Sequence, residues 1–269
     1  MALIARNFAT VQRREATAGP IRVNIHPALF RDTAMHLGLF GIGLAAGALV
    51  AFSVFGIGWR GAVTALACYG LMALLILAGL ARHAHPLCFG FANAITLTRA
   101  AMTALLYGIG GEWLFGGLPA LGEGLRWTLA IMAAVILILD GLDGPIARRN
   151  GMASPFGARF DMEADALFVL AICWLVMATG AAGVWMLAFG SLRYMFLLAG
   201  LRLPRLNGPL KPLKRRKVFY VAQAAAPTIA LTPFCPPALA WGLCAAAFGL
   251  VLFSFTTDSI TLLARDQKA

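Results

Sequence analysis

Two aspartates three apart, Asp140 and Asp143, and two four apart, Asp161 and Asp165, flank one stretch, LDGLDGPIARRNGMASPFGARFDMEADAL. On a helix, spacings of three and four each place the pair on a single face. Two antiparallel helices joined by the short, turn-rich connection would bring the pairs toward each other. Four carboxylates so close repel unless cations lie among them. Oxygen donors without His or Cys suit Mg²⁺ or Mn²⁺, and two ions bridged by shared aspartates match a site for phosphoryl chemistry. Gly144 and Gly157 let a bulky ligand or a second helix approach the backbone. Arg148 and Arg149 add cations suited to a phosphate or pyrophosphate. A single Asp at a helix end is commonly an interfacial charge; four at these spacings, around a loop with Gly and Arg, are not explained that way.

The elements that must hold these residues are apolar. The chain has 269 residues, 61% of them hydrophobic and 12% charged, and a mean hydropathy of +0.82. A soluble domain of this length is far more polar. Continuous apolar runs without period-two alternation indicate helices rather than a barrel. Eight runs fall at roughly 34–56, 61–81, 92–111, 126–143, 161–180, 184–203, 218–235 and 239–258, each near the length that crosses a bilayer. The predicted fold is all-α, a polytopic helical membrane protein. In it the four aspartates would cost on the order of 10 kcal/mol if ionised and unpaired.

Charge sets the expected orientation. With a cytosolic N-terminus, eighteen Lys and Arg lie on the inner side and only Arg60 and Arg126 outside. This bias puts both termini and the aspartates on the cytosolic face. Arg99 and Arg193 fall inside runs, where a charge needs a polar cavity or an interfacial escape. The net charge of +11 then reads as positive-inside bias and attraction to anionic lipid headgroups, and no aromatic-interleaved basic surface suggests nucleic acid. The five cysteines lack any CxxC and read as small hydrophobes. His83 and His85, two apart, read as interfacial. Residues 1–33 are expected to stay as a basic cytosolic tail, because no cleavage site follows the first run.

The aspartate stretch is similar to a known signature. Asp140-x2-Asp143-Gly144-x2-Ala147-Arg148-x8-Gly157-x3-Asp161-x3-Asp165 resembles that of the CDP-alcohol phosphotransferases at all eight defined positions. The stretch NAITLTR, Asn93 to Arg99, resembles the polar patch on that family's first core helix. The resemblance implies an integral membrane enzyme that transfers a substituted phosphate from a CDP-linked donor to an alcohol and releases CMP. It implies two divalent cations held by Asp140, Asp143, Asp161 and Asp165, with Asp165 also the general base. Asn93, Thr96, Asp143, Gly144, Ala147, Arg148, Ser154 and Gly157 would form the donor side. It also implies a homodimer.

The expected organisation follows. Residues 1–33 form the tail, 34–83 two additional transmembrane helices that anchor or pack, 84–258 a six-span catalytic domain, and 259–269 a cytosolic C-terminal tail. The expected location is a membrane, the bacterial inner membrane. LKPLKRRKVFYVAQ does not reproduce the Gly-Lys-x-Lys-Thr run of phosphatidylglycerophosphate synthases, which argues against glycerol 3-phosphate as acceptor. Arg193 and Lys217 are the candidate acceptor-binding cations, although the Lys/Arg run at 214–217 also serves the positive-inside bias. The expected donor is CDP-diacylglycerol. Transfer of a head group from CDP-choline or CDP-ethanolamine to diacylglycerol, a metal-dependent hydrolase and a cation transporter are the alternatives.

Overall fold

The computed structural model describes residues 26–80, 88–118, 120–149, 154–203 and 214–264, without the side chains of 52, 143–149, 214–217 and 264. His83 and His85 lie outside the described residues, and so do residues 1–25. Eight helices are described: α1 (Pro27–Phe55), α2 (Trp59–Gly79), α3 (Phe91–Leu114), α4 (Glu123–Arg149), α5 (Pro155–Ala178), α6 (Trp185–Arg202), α7 (Lys214–Ala230) and α8 (Pro237–Ala264).

Local chemistry sets several of these ends. At α5, Ser154 is extended and its Oγ accepts from the Gly157 amide at 3.0 Å, with Pro155 in the first turn. A side-chain acceptor followed by Pro is a strong helix start. Gly90, which precedes α3, has φ 91°, a left-handed conformation that L-residues resist. The connection between the aspartate pairs differs from expectation. Helix α4 runs on past Asp143 to Arg149, because Ile146, Ala147, Arg148 and Arg149 are compatible with a helix. Gly144, Ala147 and Arg148 therefore belong to the helix of Asp140 rather than to a loop.

Helix α3 is the hub. It packs on α1, α2, α4 and α5, while α5 also packs on α6 and α7, and α7 joins α4 and α8. The larger apolar cluster includes Leu106, Leu129, Ile136, Phe168, Ile172, Met186 and Phe189. A second cluster joins Leu29 and Leu44 of α1, Tyr69 and Met72 of α2, and Phe89, Leu97, Phe156 and Phe160. Helices α2 and α3 meet backbone to backbone, since a Cβ on Gly61 would lie 2.9 Å from the Gly108 carbonyl oxygen. The Glu112 carboxylate, 4% exposed, accepts from the Gly61 amide at 2.6 Å and closes the same contact.

The outside is apolar. Leu39, Ile42 and Leu49 of α1, Leu74 of α2, Ile138 of α4 and Leu201 of α6 all point outward. Patches of this extent belong against lipid rather than water. Among the described residues, four helices are long and apolar enough by length and composition to cross a membrane: Pro27–Phe55, Trp59–Gly79, Glu123–Leu142 and Pro237–Leu263. The expectation was eight. The other four are diluted by charge or short: α3 carries Arg99 and Glu112, α5 carries Asp161, Glu163 and Asp165, α6 carries Arg193 and Arg202, and the apolar part of α7 is only Val218–Ala230.

Candidate active site

Two helices of the site carry polar residues at helical spacing. Asp161 and Asp165 lie four apart in the first half of α5, and Asn93, Thr96 and Arg99 lie three apart along α3. Both spacings give one face, and α3 packs on α5 and on α4. The result is a convergence of charge. Arg99, 1% exposed, places Nη2 2.7 Å from Asp140 Oδ1 and Nη1 2.7 Å from Asp161 Oδ1, and Nη2 also pairs with Asp165. The three carboxylates are partly buried, at 22%, 24% and 15% side-chain exposure in that order. The Tyr220 hydroxyl on α7 lies within electrostatic reach of Asp165, Asp140 and Arg99.

A divalent cation fits these residues. One oxygen from each of Asp140, Asp161 and Asp165 lies within 4.8 Å of the others. The donor set is hard oxygen, the preference of Mg²⁺ and Mn²⁺. Ionised, the three carboxylates exceed the one guanidinium by two negative charges, the charge of one such ion. The fourth predicted ligand, Asp143, has its backbone on α4 three residues beyond Asp140, and its side chain lies outside the described residues.

The residues expected on the donor side lie on, or at the start of, the helices that carry this cluster. Asn93, Thr96 and Ser154 are buried. Asn93 Nδ2 donates to the Phe89 carbonyl at 2.5 Å, and Thr96 Oγ1 donates to the Ala92 carbonyl at 3.2 Å. Gly157 has no room for a side chain, because a Cβ there would lie 2.8 Å from Asn93 Oδ1 and 3.3 Å from Ser154 Oγ. The structure thus brings Asn93, Ser154 and Gly157 together. The side chains of Gly144's neighbours Ala147 and Arg148, like that of Lys217, lie outside the described residues. Arg193 is a little removed from the cluster. Its Nη2 pairs with Glu163 of α5 at 2.5 Å, and its Nη1 approaches Met162 Sδ at 3.9 Å.

Sequence reasoning missed three participants. Arg99 was recognised as a charge inside an apolar run, but its partners were not. The signal was present: a buried cation needs a counter-charge, and the aspartates were a cluster of carboxylates in want of a cation. Glu163, the counter-charge of Arg193, lies between Asp161 and Asp165 in the chain and drew no attention. Tyr220 carries no spacing signal.

Residues 89–257 match the family model for CDP-alcohol phosphatidyltransferase. The chain belongs to that family. It is therefore an enzyme that transfers substituted phosphate groups, in a family of phospholipid synthesis, and its substrates are CDP-linked alcohols. No curated protein and no solved structure matches the chain. The family segment begins at Phe89, two residues before α3, and leaves α1 and α2 outside it. The aspartate cluster of this phosphatidyltransferase family member is consistent with a metal site.

Proposed function

We propose that the enzyme moves the phosphatidyl group of CDP-diacylglycerol to the hydroxyl of an alcohol acceptor and releases CMP. The observation that carries this reading is the meeting of Asp140, Asp161 and Asp165 around Arg99, within the family segment. Asp165 takes the proton from the acceptor hydroxyl, a role that needs a carboxylate within hydrogen-bond reach. The acceptor oxygen then attacks the phosphatidyl phosphorus. A new P–O bond forms, the P–O bond to CMP breaks, and CMP leaves with the electron pair. Two divalent ions, Mg²⁺ or Mn²⁺, held by Asp140, Asp143, Asp161 and Asp165, would offset the charge of the pyrophosphate and of the leaving CMP.

Asn93, Thr96, Gly144, Ala147, Arg148, Ser154 and Gly157 hold the CDP end. The absent side chain at Gly144 admits the nucleotide, the absent side chain at Gly157 makes room for Asn93 and Ser154 beside it, and Arg148 would supply a cation for its phosphates. Arg193 and Lys217 serve the acceptor. The connection between α4 and α5 lies at the cytosolic membrane face, as the distribution of Lys and Arg supports. A soluble nucleotide and a lipid tail then meet at one boundary, which supplies proximity. In this reading all eight helices span the membrane, α3 to α8 form the catalytic six-helix core, and the enzyme works as a homodimer.

A headgroup screen tests the proposal. Purified enzyme with Mg²⁺ or Mn²⁺ is given CDP-diacylglycerol and, separately, serine, inositol, inositol phosphate, glycerol phosphate or choline, and the lipid products are resolved. One alcohol-dependent phospholipid with equimolar CMP is expected. CMP release that ignores every alcohol points instead to hydrolysis, and transfer of label from CDP-choline to diacylglycerol reverses donor and acceptor.

A further inference from the structure

The helices outside the family segment hold the beginning of that segment. Asp32, near the start of α1, accepts from the backbone amide of Phe89 through Oδ2 at 2.7 Å. His36, one turn on, donates from Nδ1 to the Asp32 carbonyl at 2.8 Å, and its ring lies 5.6 Å from the Phe89 ring. Phe89 itself is 0% exposed and packs against Phe156 and Phe160 of α5, with ring centroids 6.2 and 6.4 Å away. Leu29 of α1 belongs to the same buried cluster.

Phe89 is thereby gripped at both of its backbone groups. Asp32 takes its amide, and Asn93 donates to its carbonyl. The next residue, Gly90, is in the left-handed region and offers no side chain to cap α3. The direction in which α3 begins is therefore set by these two hydrogen bonds and by the aromatic packing. Asn93 depends on the same arrangement: with Nδ2 tied to Phe89, its Oδ1 is turned toward Gly157, beside Ser154. Loss of the Asp32 contact leaves a part-buried amide without its acceptor, which favours a shift of Phe89.

We propose that Asp32 is a positioning residue for donor binding: by holding the Phe89 amide it fixes Asn93 against Gly157, so that α1 braces the pocket for the CDP end. The inference rests on the assignment of Asn93, Ser154 and Gly157 to the donor, and it gives α1 a part in substrate binding beyond anchoring. The effect acts through Phe89 and Asn93, without contact between Asp32 and substrate.

The test uses the full chain, with CMP and CDP-diacylglycerol as probes. Binding of CMP in the presence of Mg²⁺, steady-state kinetics with the alcohol that yields phospholipid in the headgroup screen, and thermal unfolding in detergent are measured for wild type, Asp32→Ala and Asp32→Asn. Asp32→Ala is expected to weaken CMP binding and raise the donor KM by about tenfold, with kcat and acceptor KM within about twofold. Asp32→Asn restores donor KM to within about threefold, because its amide oxygen still accepts from Phe89. If Asp32→Ala does not fold, Asp32→Ser, whose hydroxyl is one bond too short, takes its place.

Equal loss in kcat and both KM values, in step with a lower unfolding temperature, means a merely structural contact and overturns the proposal. So does failure of Asp32→Asn to restore binding, or a donor KM that no variant changes. Wild-type enzyme that neither binds CMP nor releases it from CDP-diacylglycerol removes the donor assignment itself. Wild-type binding with all variants alike removes only the role of Asp32.

Discussion

Arg99 on α3 and Asp161 on α5, 62 residues apart in the chain, meet at 2.7 Å between Nη1 and Oδ1. The same guanidinium reaches Asp140 and Asp165. One buried cation thus joins three helices at the point where the family's chemistry is expected, and its removal is expected to affect both folding and the response to a divalent ion.

Arg99→Ala leaves three partly buried carboxylates facing one another. Breaking a buried pair of this kind costs about 3–5 kcal/mol. The unfolding temperature is expected to fall sharply in chelator and to recover in part on addition of Mg²⁺, because the divalent ion replaces the lost charge. Arg99→Lys, with one nitrogen where the guanidinium has two at the cluster, should lie between. Indifference of Arg99→Ala stability to Mg²⁺ would argue against a cation site here.

The aspartates should separate by role. Asp165→Asn is expected to lower kcat by about 10²–10⁴, the usual contribution of a general base, while CMP binding falls only a few-fold. In Asp140→Asn, metal and donor binding are lost together. Titration of each variant with Mn²⁺ and with CMP distinguishes them. Wild-type turnover by either variant contradicts the role assigned to it.

Arg193 has a counter-charge in Glu163, so its presence inside an apolar helix does not by itself require a ligand phosphate. Arg193→Ala is nonetheless expected to raise acceptor KM by about tenfold or more, the loss of one charge-assisted hydrogen bond, with donor KM unchanged. An effect confined to protein yield would leave Arg193 only a partner for Glu163.

The crossing of α2 and α3 is tight enough to reject a methyl group. A Cβ on Gly108 would lie 2.8 Å from the Gly61 carbonyl oxygen and 2.9 Å from Ala65 Cβ. Backbone cannot yield as a side-chain end can, so Gly108→Ala should destabilise by about 1–3 kcal/mol. Thermal unfolding in detergent reads this directly, and an unchanged unfolding temperature would show that the helices cross more loosely.

Much of the site was legible before any tertiary information. Asp140, Asp161 and Asp165 are brought together as their spacing predicted, and Asn93, Ser154 and Gly157 lie together as well. The number of spanning helices was harder to read. Asp161, Glu163 and Asp165 make α5 too polar to qualify by composition, although it lies at the centre of the bundle. An apolar run shows how far a helix can extend through lipid; it does not show what a helix buried among others tolerates.

By itself the sequence determined that this chain is helical and apolar on its outside, and that it carries a paired-carboxylate motif of a phosphoryl-transfer family. These properties reside in the order and spacing of neighbouring residues, because helix periodicity places each pair of aspartates on one face whatever surrounds it. Only the tertiary structure decided that Arg99 would be the counter-charge of all three aspartates, that Glu163 would answer Arg193, and that Asp32 would reach Phe89. Each of those contacts joins different helices. Which helices meet is set by the packing of the whole apolar set and by close crossings such as Gly61 on Gly108, neither of which is a local property of the chain.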